Sequence, residues 1–236
     1  MRCREQALAL YRDLDNRQGM AMVLNNLASG AGQRGDHAMA AARLQEALAI
    51  MGELGDRDGE LLCLQNLGTA QVQLGDYGAA EESARRCIAM LGTTRWWLAV
   101  DLYCCLADAC AGQGKMPEAL EAARQALDLA QQTGSEASRG TAWQTMGHCS
   151  ARLAESGVPV PEVPDPPACY AESLRAFEAC RMDASRAYVL RDWARYELAH
   201  GDRARGAEMW REARALFERL AMPLEVSRMD AHGTGQ

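Results

Sequence analysis

The chain has 236 residues, of which 48% are hydrophobic and 24% charged, enough to bury a substantial core. A formal charge of −7 argues against direct nucleic-acid binding, since phosphate contacts need clustered Lys and Arg. No apolar run reaches the roughly 18–20 residues that cross a bilayer, and no signal-peptide pattern opens the sequence, so no membrane association is expected. Nine cysteines without a CxxC pair indicate free thiols in a reducing cytoplasm.

A short apolar helical motif returns at nearly constant intervals along the chain. It starts at Ala7, and its counterparts start at Ala47, Cys87, Ala126, Ser173 and Ala213. The successive spacings are 40, 40, 39, 47 and 40 residues. Four glycines, Gly35, Gly75, Gly114 and Gly201, each lie twelve residues before a motif, and three of them are followed by Asp. Glycine suits the left-handed end of one helix and Asp the start of the next, so each repeat is predicted to be a helix hairpin.

In chain order, the pattern predicts an unpaired helix at 3–15 and hairpins at 18–54, 57–92, 96–133, 136–182 and 184–221. A short capping segment is predicted at 223–231. Five of the seven prolines fall within 158–167, which predicts a loop inside the fourth hairpin. The fold class is therefore all-α, an α-solenoid of stacked antiparallel hairpins in one array over 1–236.

In the first helix of each hairpin, a small residue follows a large apolar one. The pairs are Leu27-Ala28, Leu67-Gly68, Leu106-Ala107, Met146-Gly147 and Trp193-Ala194. Together with the hairpin period, this resembles the tetratricopeptide repeat family, in a 40-residue variety. Asn25-Asn26-Leu27-Ala28 and Asn66-Leu67-Gly68 are similar to helices of kinesin light chains and Pins-type scaffolds. Residues 216–223 are similar to the end of C-terminal arrays in bacterial signalling ATPases and LuxR-type ATP-binding regulators.

The resemblance implies a right-handed superhelix whose first helices line a concave groove. Carried over residue by residue, the groove positions are Asn25, Asn26, Ser29, Gln65, Asn66, Thr69, Asp101, Cys105, Asp108, Gln144, His148, Arg152, Tyr188, Arg191 and Arg195. Cys104, Thr145 and Asp192 occupy equivalent positions. The amides would either bond the backbone of an extended peptide or link adjacent hairpins. The arginines would either grip a carboxylate or phosphate, or pair with Asp192, Glu197 or Asp183.

The sequence shows no catalytic, cofactor or metal pattern. His148 and Cys149 are adjacent on a helix and point about 100° apart, so they do not form a nucleophile pair. Cys104, Cys105 and Cys110 lack the spacing of a metal knuckle. No phosphate-binding glycine loop, GxSxG or HExxH is present. We therefore expect a protein that is not an enzyme and uses no cofactor.

The leading hypothesis is a protein–protein interaction module that binds a peptide or helix in its groove. A second hypothesis is a regulatory sensor array belonging to a larger ATPase-type signalling protein or transcription regulator. A third is a structural scaffold that self-associates as a homodimer. Self-association would use either Trp96 and Trp97 or the unpaired first helix, where Leu8, Leu10, Tyr11 and Leu14 need a covering partner.

Overall fold

The structure is a computed structural model that describes residues 2–91, 98–156 and 162–233. These residues form twelve α-helices and no strand. The helices are α1 (Arg2–Asp13), α2 (Arg17–Gln33), α3 (His37–Leu54), α4 (Arg57–Leu74), α5 (Tyr77–Met90), α6 (Ala99–Gly112), α7 (Met116–Thr133), α8 (Glu136–Glu155), α9 (Pro166–Ala179), α10 (Asp183–His200), α11 (Arg203–Arg219) and α12 (Pro223–Gly233). The all-α solenoid class is confirmed.

Successive helices pack in pairs, as the hairpin pattern predicts. The five pairs are α2 with α3, α4 with α5, α6 with α7, α8 with α9, and α10 with α11. Outside these pairs, α1 packs on α2 and α12 packs on α11. The chain divides into two compact units, unit 1 at Met1–Trp96 and unit 2 at Trp97–Gln236, which hold α1–α5 and α6–α12. The single array over 1–236 stays a prediction.

Aspartates begin several of the helices, as the sequence indicates. The side chains of Asp36 and Asp76 accept hydrogen bonds from backbone N–H groups three residues later, at 3.0 and 3.3 Å. Gly35 and Gly75 precede them with φ of 81° and 78°, a left-handed conformation that glycine adopts without a steric cost. The local sequence thus fixes where these hairpins turn.

The turn at Gly201 departs from this pattern. Gly201 has φ −130° and ψ −135° rather than the expected left-handed values, although Asp202 still caps α11. The cause is the buried carboxylate of Glu197, which accepts a hydrogen bond from the Asp202 N–H at 2.8 Å and from the Trp193 indole at 2.9 Å. The Glu197 carboxylate thereby accepts the N–H hydrogen bond that the Ala31 and Gln71 carbonyls accept at the Gly35 and Gly75 turns.

The proline-rich segment is only partly loop. Residues 158–161 lie outside the described residues, and α9 already begins at Pro166. Pro166 and Pro167 occupy the first helical turn, where a missing N–H costs nothing, and the Asp165 side chain caps the helix. The loop predicted over 158–167 therefore ends at Asp165. The hydroxyl of Ser150 on α8 donates to the Pro164 carbonyl at 2.6 Å and ties the segment to its hairpin.

Small residues allow neighbouring helices to approach closely. At Gly147 on α8, a Cβ atom would lie 2.7 Å from a ring carbon of Tyr170 on α9, closer than carbon atoms pack. Tyr170 is 2% exposed and belongs to the core of unit 2. No helix in the described ranges is long and apolar enough to span a bilayer.

Candidate functional site

The first helices of unit 1 bring the predicted amide and hydroxyl side chains together. We call Asn25, Asn26 and Ser29 of α2 and Gln65, Asn66 and Thr69 of α4 the amide face. The Asn66 Nδ2 donates to Asn25 Oδ1 at 3.0 Å, across the two helices. The amides of Asn25 and Asn66 therefore link adjacent hairpins, one of the two roles expected from the sequence.

Other groups of the amide face keep free hydrogen-bonding capacity. The backbone carbonyl of Asn26 accepts from Arg4 Nη1 at 3.0 Å, but its exposed side chain bonds to no described residue. Ser29 is exposed and likewise has no hydrogen-bond partner among the described residues. The exposed Thr69 hydroxyl donates to the Gln65 carbonyl at 3.2 Å, which leaves its lone pairs for a ligand.

None of the six residues of the amide face is charged, although the Arg4 guanidinium contacts the Asn26 carbonyl at its edge. In α2 no charged residue occurs between Arg17 and Arg34, and in α4 none occurs from Leu61 to Leu74. Two large apolar side chains are exposed beside it, Met22 at 57% and Leu62 at 45%. Sequence reasoning missed both, although each lies six residues before the small residue of its repeat. Asp101 and Tyr188, which the resemblance assigns to the groove, occupy the same position in their repeats.

The first helices of unit 2 carry an ion-pair network instead. His148 on α8 lies between two carboxylates, with Nδ1 2.8 Å from Asp108 Oδ1 and Nε2 3.0 Å from Asp192 Oδ2. Asp108 belongs to α6 and Asp192 to α10, so one imidazole bridges three hairpins. Gln144 Nε2 donates to the same Asp192 oxygen at 3.1 Å.

The network continues to the C-terminal helix. Arg191 Nη2 donates to Asp192 Oδ1 at 2.8 Å, and Arg191 Nη1 donates to Glu225 Oε2 at 2.9 Å. The Glu225 side chain on α12 is fully buried and also pairs with Arg228. We call this alternating series the charge ladder: Asp108, His148, Asp192, Arg191, Glu225 and Arg228. Of the two roles considered for Arg191, the structure shows pairing with Asp192 rather than a free cation.

The charge ladder shifts the protonation of its members. Burial alone would lower the pKa of His148, but the carboxylates of Asp108 and Asp192 outweigh it and raise that pKa to about 10. Burial alone would raise the pKa of Asp192, but Arg191 and His148 hold it well below its usual range. His148 is therefore a cation and Asp192 an anion at neutral pH, so each bridging hydrogen bond is charge-assisted.

The remaining predicted groove residues of unit 2 differ in exposure. Cys105 is 8% exposed and packs in the core together with Cys104 and Thr145, so none of the three lies on an open face. Tyr188 is half-buried under the Arg191 guanidinium, 4.9 Å from its ring centroid. Asp101, Arg152 and Arg195 are exposed, and Arg195 forms no ion pair with a described residue.

The described part of unit 2 also holds an open cleft of about 430 Å³ between α9, α10 and α11. The guanidinium of Arg205 lies 4.3 Å from the centroid of a Trp193 ring and covers that ring. Arg186 lies 3.4 and 3.7 Å from the rim carboxylates of Glu178 and Glu212. The aromatic floor and two carboxylates of the cleft are thus already engaged by arginines of the chain.

Within the described ranges, no group of three or more His, Cys, Asp or Glu is placed to hold a metal ion. Burial raises the pKa of the Cys104 and Cys149 thiols, which keeps both protonated at neutral pH. Neither thiol is therefore an activated nucleophile, and the His148 ring nitrogens face carboxylates rather than sulfur.

Residues 19–92 match the tetratricopeptide repeat. This family model covers α2–α5, the part of unit 1 that carries the amide face. Tetratricopeptide repeats are non-enzymatic modules that generally mediate protein–protein interaction. The fold of the whole chain is similar to the crystal structure of BtubC (BKLC) from P. vanneervenii, with a TM-score of 0.55 and 17% identity over 100% of this chain and 89% of that one. A comparison with curated proteins finds no match.

Proposed function

We propose that this chain is a protein–protein interaction module whose amide face binds the backbone of an extended peptide. The observation that carries the proposal is the state of the α2 and α4 side chains. Asn26, Ser29 and Thr69 are exposed on neighbouring first helices and retain donors or acceptors that no described residue uses. This face lies within the segment that matches the tetratricopeptide repeat.

An extended peptide needs partners for its backbone when it leaves water, because unpaired N–H and C=O groups are costly to bury. An Asn side chain supplies two donors and one acceptor oxygen, and so satisfies both kinds of backbone group. The Asn66 amide uses one hydrogen on Asn25 and keeps a second for a ligand. Because the amides bind the peptide backbone, they do not discriminate between peptide side chains. Any sequence preference must come from other residues of the face.

The charge ladder is a poorer surface for a peptide. Its cations and anions already pair with one another, so a ligand would have to replace charge-assisted hydrogen bonds with bonds of equal strength. The amide face demands no such exchange. We therefore place the binding site in unit 1 and give the charge ladder a structural role between hairpins. No step in this proposal requires a cofactor, a metal or a catalytic residue.

The test is a selection from a random peptide library. Wild-type protein is expected to enrich peptides that the Asn26→Ala/Asn66→Ala variant binds at least tenfold more weakly. Gln45→Ala, which removes an exposed amide from α3, is the matched control and is expected to bind like wild type. N-methylation of the bound peptide backbone is expected to weaken binding as well. Equal binding by all three proteins would contradict the proposal.

Self-association is a second candidate, favoured by exposed side chains of α1 and of the turn that follows it. Leu8 is buried, but Leu10 and Leu14 are 61% and 72% exposed. The other surface predicted for self-association, Trp96 and Trp97, lies outside the described residues. A mass that rises with concentration for wild type and stays monomeric for Leu10→Ser/Leu14→Ser would support this candidate. A monomer at all concentrations would contradict it. The sensor-array hypothesis remains a prediction from the resemblance.

A further inference from the structure

We propose that Arg4 and Arg34 together bind the carboxylate of an Asp or Glu residue in the bound peptide. This inference rests on the proposed function, since it assigns a side-chain preference to a peptide whose backbone the amide face binds. Neither arginine is a groove position implied by the family resemblance, because Arg4 belongs to α1 and Arg34 is the residue at which α2 ends. The partner is therefore an extended peptide with an acidic residue at a defined position.

The two guanidinium groups converge on one point beside α2. That point is the position that a Cβ atom would take at Gly30, and it lies 3.3 Å from Arg4 Nη1 and 3.5 Å from Arg34 Nη1. Because glycine has no side chain, the space between the two groups stays open. The two oxygens of a carboxylate can accept hydrogen bonds from separate guanidiniums, so one anion can bridge a pair held this close.

Neither guanidinium forms an ion pair with a described residue. Arg4 Nη1 donates to the Asn26 carbonyl at 3.0 Å, which uses one of the five N–H donors of this side chain. The half-buried Arg34 side chain donates to no described residue. By contrast, Arg12 and Arg43 on the other side of α1 pair with glutamates. A bound carboxylate would replace the repulsion between Arg4 and Arg34 with charge-assisted hydrogen bonds.

The arginine pair adjoins the amide face. Gly30 lies four residues after Asn26 and directly follows Ser29, so the three positions share one side of α2. Four residues along a helix rise about 6 Å, and side chains two residues apart in an extended strand are separated by about 6.8 Å. For a peptide that runs along α2, the acidic residue is therefore expected within two residues of the backbone group that Asn26 binds.

The first experiment measures dissociation constants for peptides that the wild-type protein selects from the random library. We expect these peptides to share an Asp or Glu residue, and Arg4→Gln/Arg34→Gln to weaken binding at least tenfold. Replacing the acidic residue with Asn or Gln should weaken wild-type binding to a similar degree, with little further loss in the variant. The control Arg57→Gln/Arg203→Gln removes two exposed arginines outside the amide face and should bind like wild type.

The second experiment tests the arginine pair without a peptide. Gly30→Asp places a carboxylate of the chain itself between the two guanidiniums, and Gly30→Asn places a neutral group of the same shape there. A negative charge near the C-terminal end of a helix is otherwise unfavourable. We nevertheless expect a higher urea midpoint of unfolding for Gly30→Asp than for Gly30→Asn, and the reverse order once Arg4→Gln/Arg34→Gln is added. Gly30→Asp should also weaken binding of the acidic peptides at least tenfold.

The outcomes separate the arginine pair from the proposed function. If Asn26→Ala/Asn66→Ala weakens binding but Arg4→Gln/Arg34→Gln does not, the carboxylate site is wrong and the backbone site stands. Selected peptides that share no acidic residue would overturn the carboxylate site as well. So would a urea midpoint of Gly30→Asp that does not exceed that of Gly30→Asn. If none of the variants changes peptide affinity, both proposals fail.

Discussion

The first helices of the two units use polar residues in opposite ways. In unit 1 the face is uncharged, and part of its hydrogen-bonding capacity is left open on Asn26, Ser29 and Thr69. In unit 2 the equivalent helices carry charged side chains that form ion pairs with one another, in a series from Asp108 to Glu225. The same repeat position can therefore either offer groups to a partner or hold the hairpins together. Which of the two occurs depends on whether adjacent repeats supply complementary side chains.

The largest expected effect is the loss of Asp192. Asp192→Ala removes the acceptor shared by His148, Gln144 and Arg191 and leaves two cations side by side. Removing one partner from a largely buried pair typically costs about 3–5 kcal/mol, and we expect about 4 kcal/mol in the free energy of unfolding. Urea unfolding followed by Trp fluorescence measures it. Asp128→Ala, an exposed carboxylate on α7, should change stability by less than about 0.5 kcal/mol.

The charge ladder also predicts a pH dependence of stability. The folded pKa of His148, about 10, exceeds its unfolded value of about 6.5. The folded state therefore holds this proton more tightly, and its stabilisation is fully present below about pH 6.5 and lost as pH rises through about 10. The stability difference between wild type and His148→Gln should shrink by about 4 kcal/mol between pH 6 and pH 10.

The control for this pH series is His200→Gln. The His200 side chain is 40% exposed and lies 3.8 Å from Glu155, a weak surface pair. The free energy of unfolding of His200→Gln should stay within about 0.5 kcal/mol of the wild-type value between pH 6 and pH 10. A difference for His148→Gln that is flat, or that grows toward pH 10, would show that His148 is not a protonated bridge.

Substitutions in the amide face should lower the free energy of unfolding far less than substitutions in the charge ladder. Asn66→Ala loses the hydrogen bond to Asn25, which contributes about 1 kcal/mol. The better helix propensity of Ala offsets part of that loss in free energy. Its net cost should stay below about 1 kcal/mol in the same urea experiment. A loss of about 3 kcal/mol would mean that the Asn25–Asn66 bond is as structural as the charge ladder.

The smallest expected effect is that of Asn26→Ala. The Asn26 side chain bonds to no described residue, and Asn is a poorer helix former than Ala. This substitution should therefore stabilise the protein by up to about 0.5 kcal/mol. A stabilisation of this size would show that folding of the free protein does not need the Asn26 side chain. A destabilisation above about 1 kcal/mol would show that Asn26 has a structural partner instead.

The sequence predicted most of the fold because its signals are local. The repeat spacing placed the hairpins, and the Asp caps placed the helix starts. It failed at Gly201, where the Glu197 side chain accepts the turn's hydrogen bond, and at Pro166, where a proline suits the first helical turn as well as a loop. Both errors come from local signals that can be interpreted in two ways, since Glu197 lies only four residues before Gly201 and the capping residue Asp165 directly precedes Pro166.

The site was less predictable because side-chain pairing between repeats is not a local property. His148 lies 40 residues after Asp108 and 44 before Asp192, which is about one repeat in each direction. Opposite charges at the repeat spacing are a signal that could have revealed this bridge. The pairing of Arg191 with Glu225 had no such signal, since residues 223–231 were expected to be only a cap.

The most direct test follows the side-chain NH₂ signals of Asn and Gln by NMR while a selected peptide is added to ¹⁵N-labelled protein. Our account predicts that the signals of Asn26 and Asn66 shift to saturation, with assignments taken from the alanine variants. It also predicts that the Gln144 signal, held on Asp192 in the charge ladder, stays unchanged. A shift of Gln144 without a shift of Asn26 or Asn66 would contradict the central claim that unit 1 offers the open face and unit 2 the closed one.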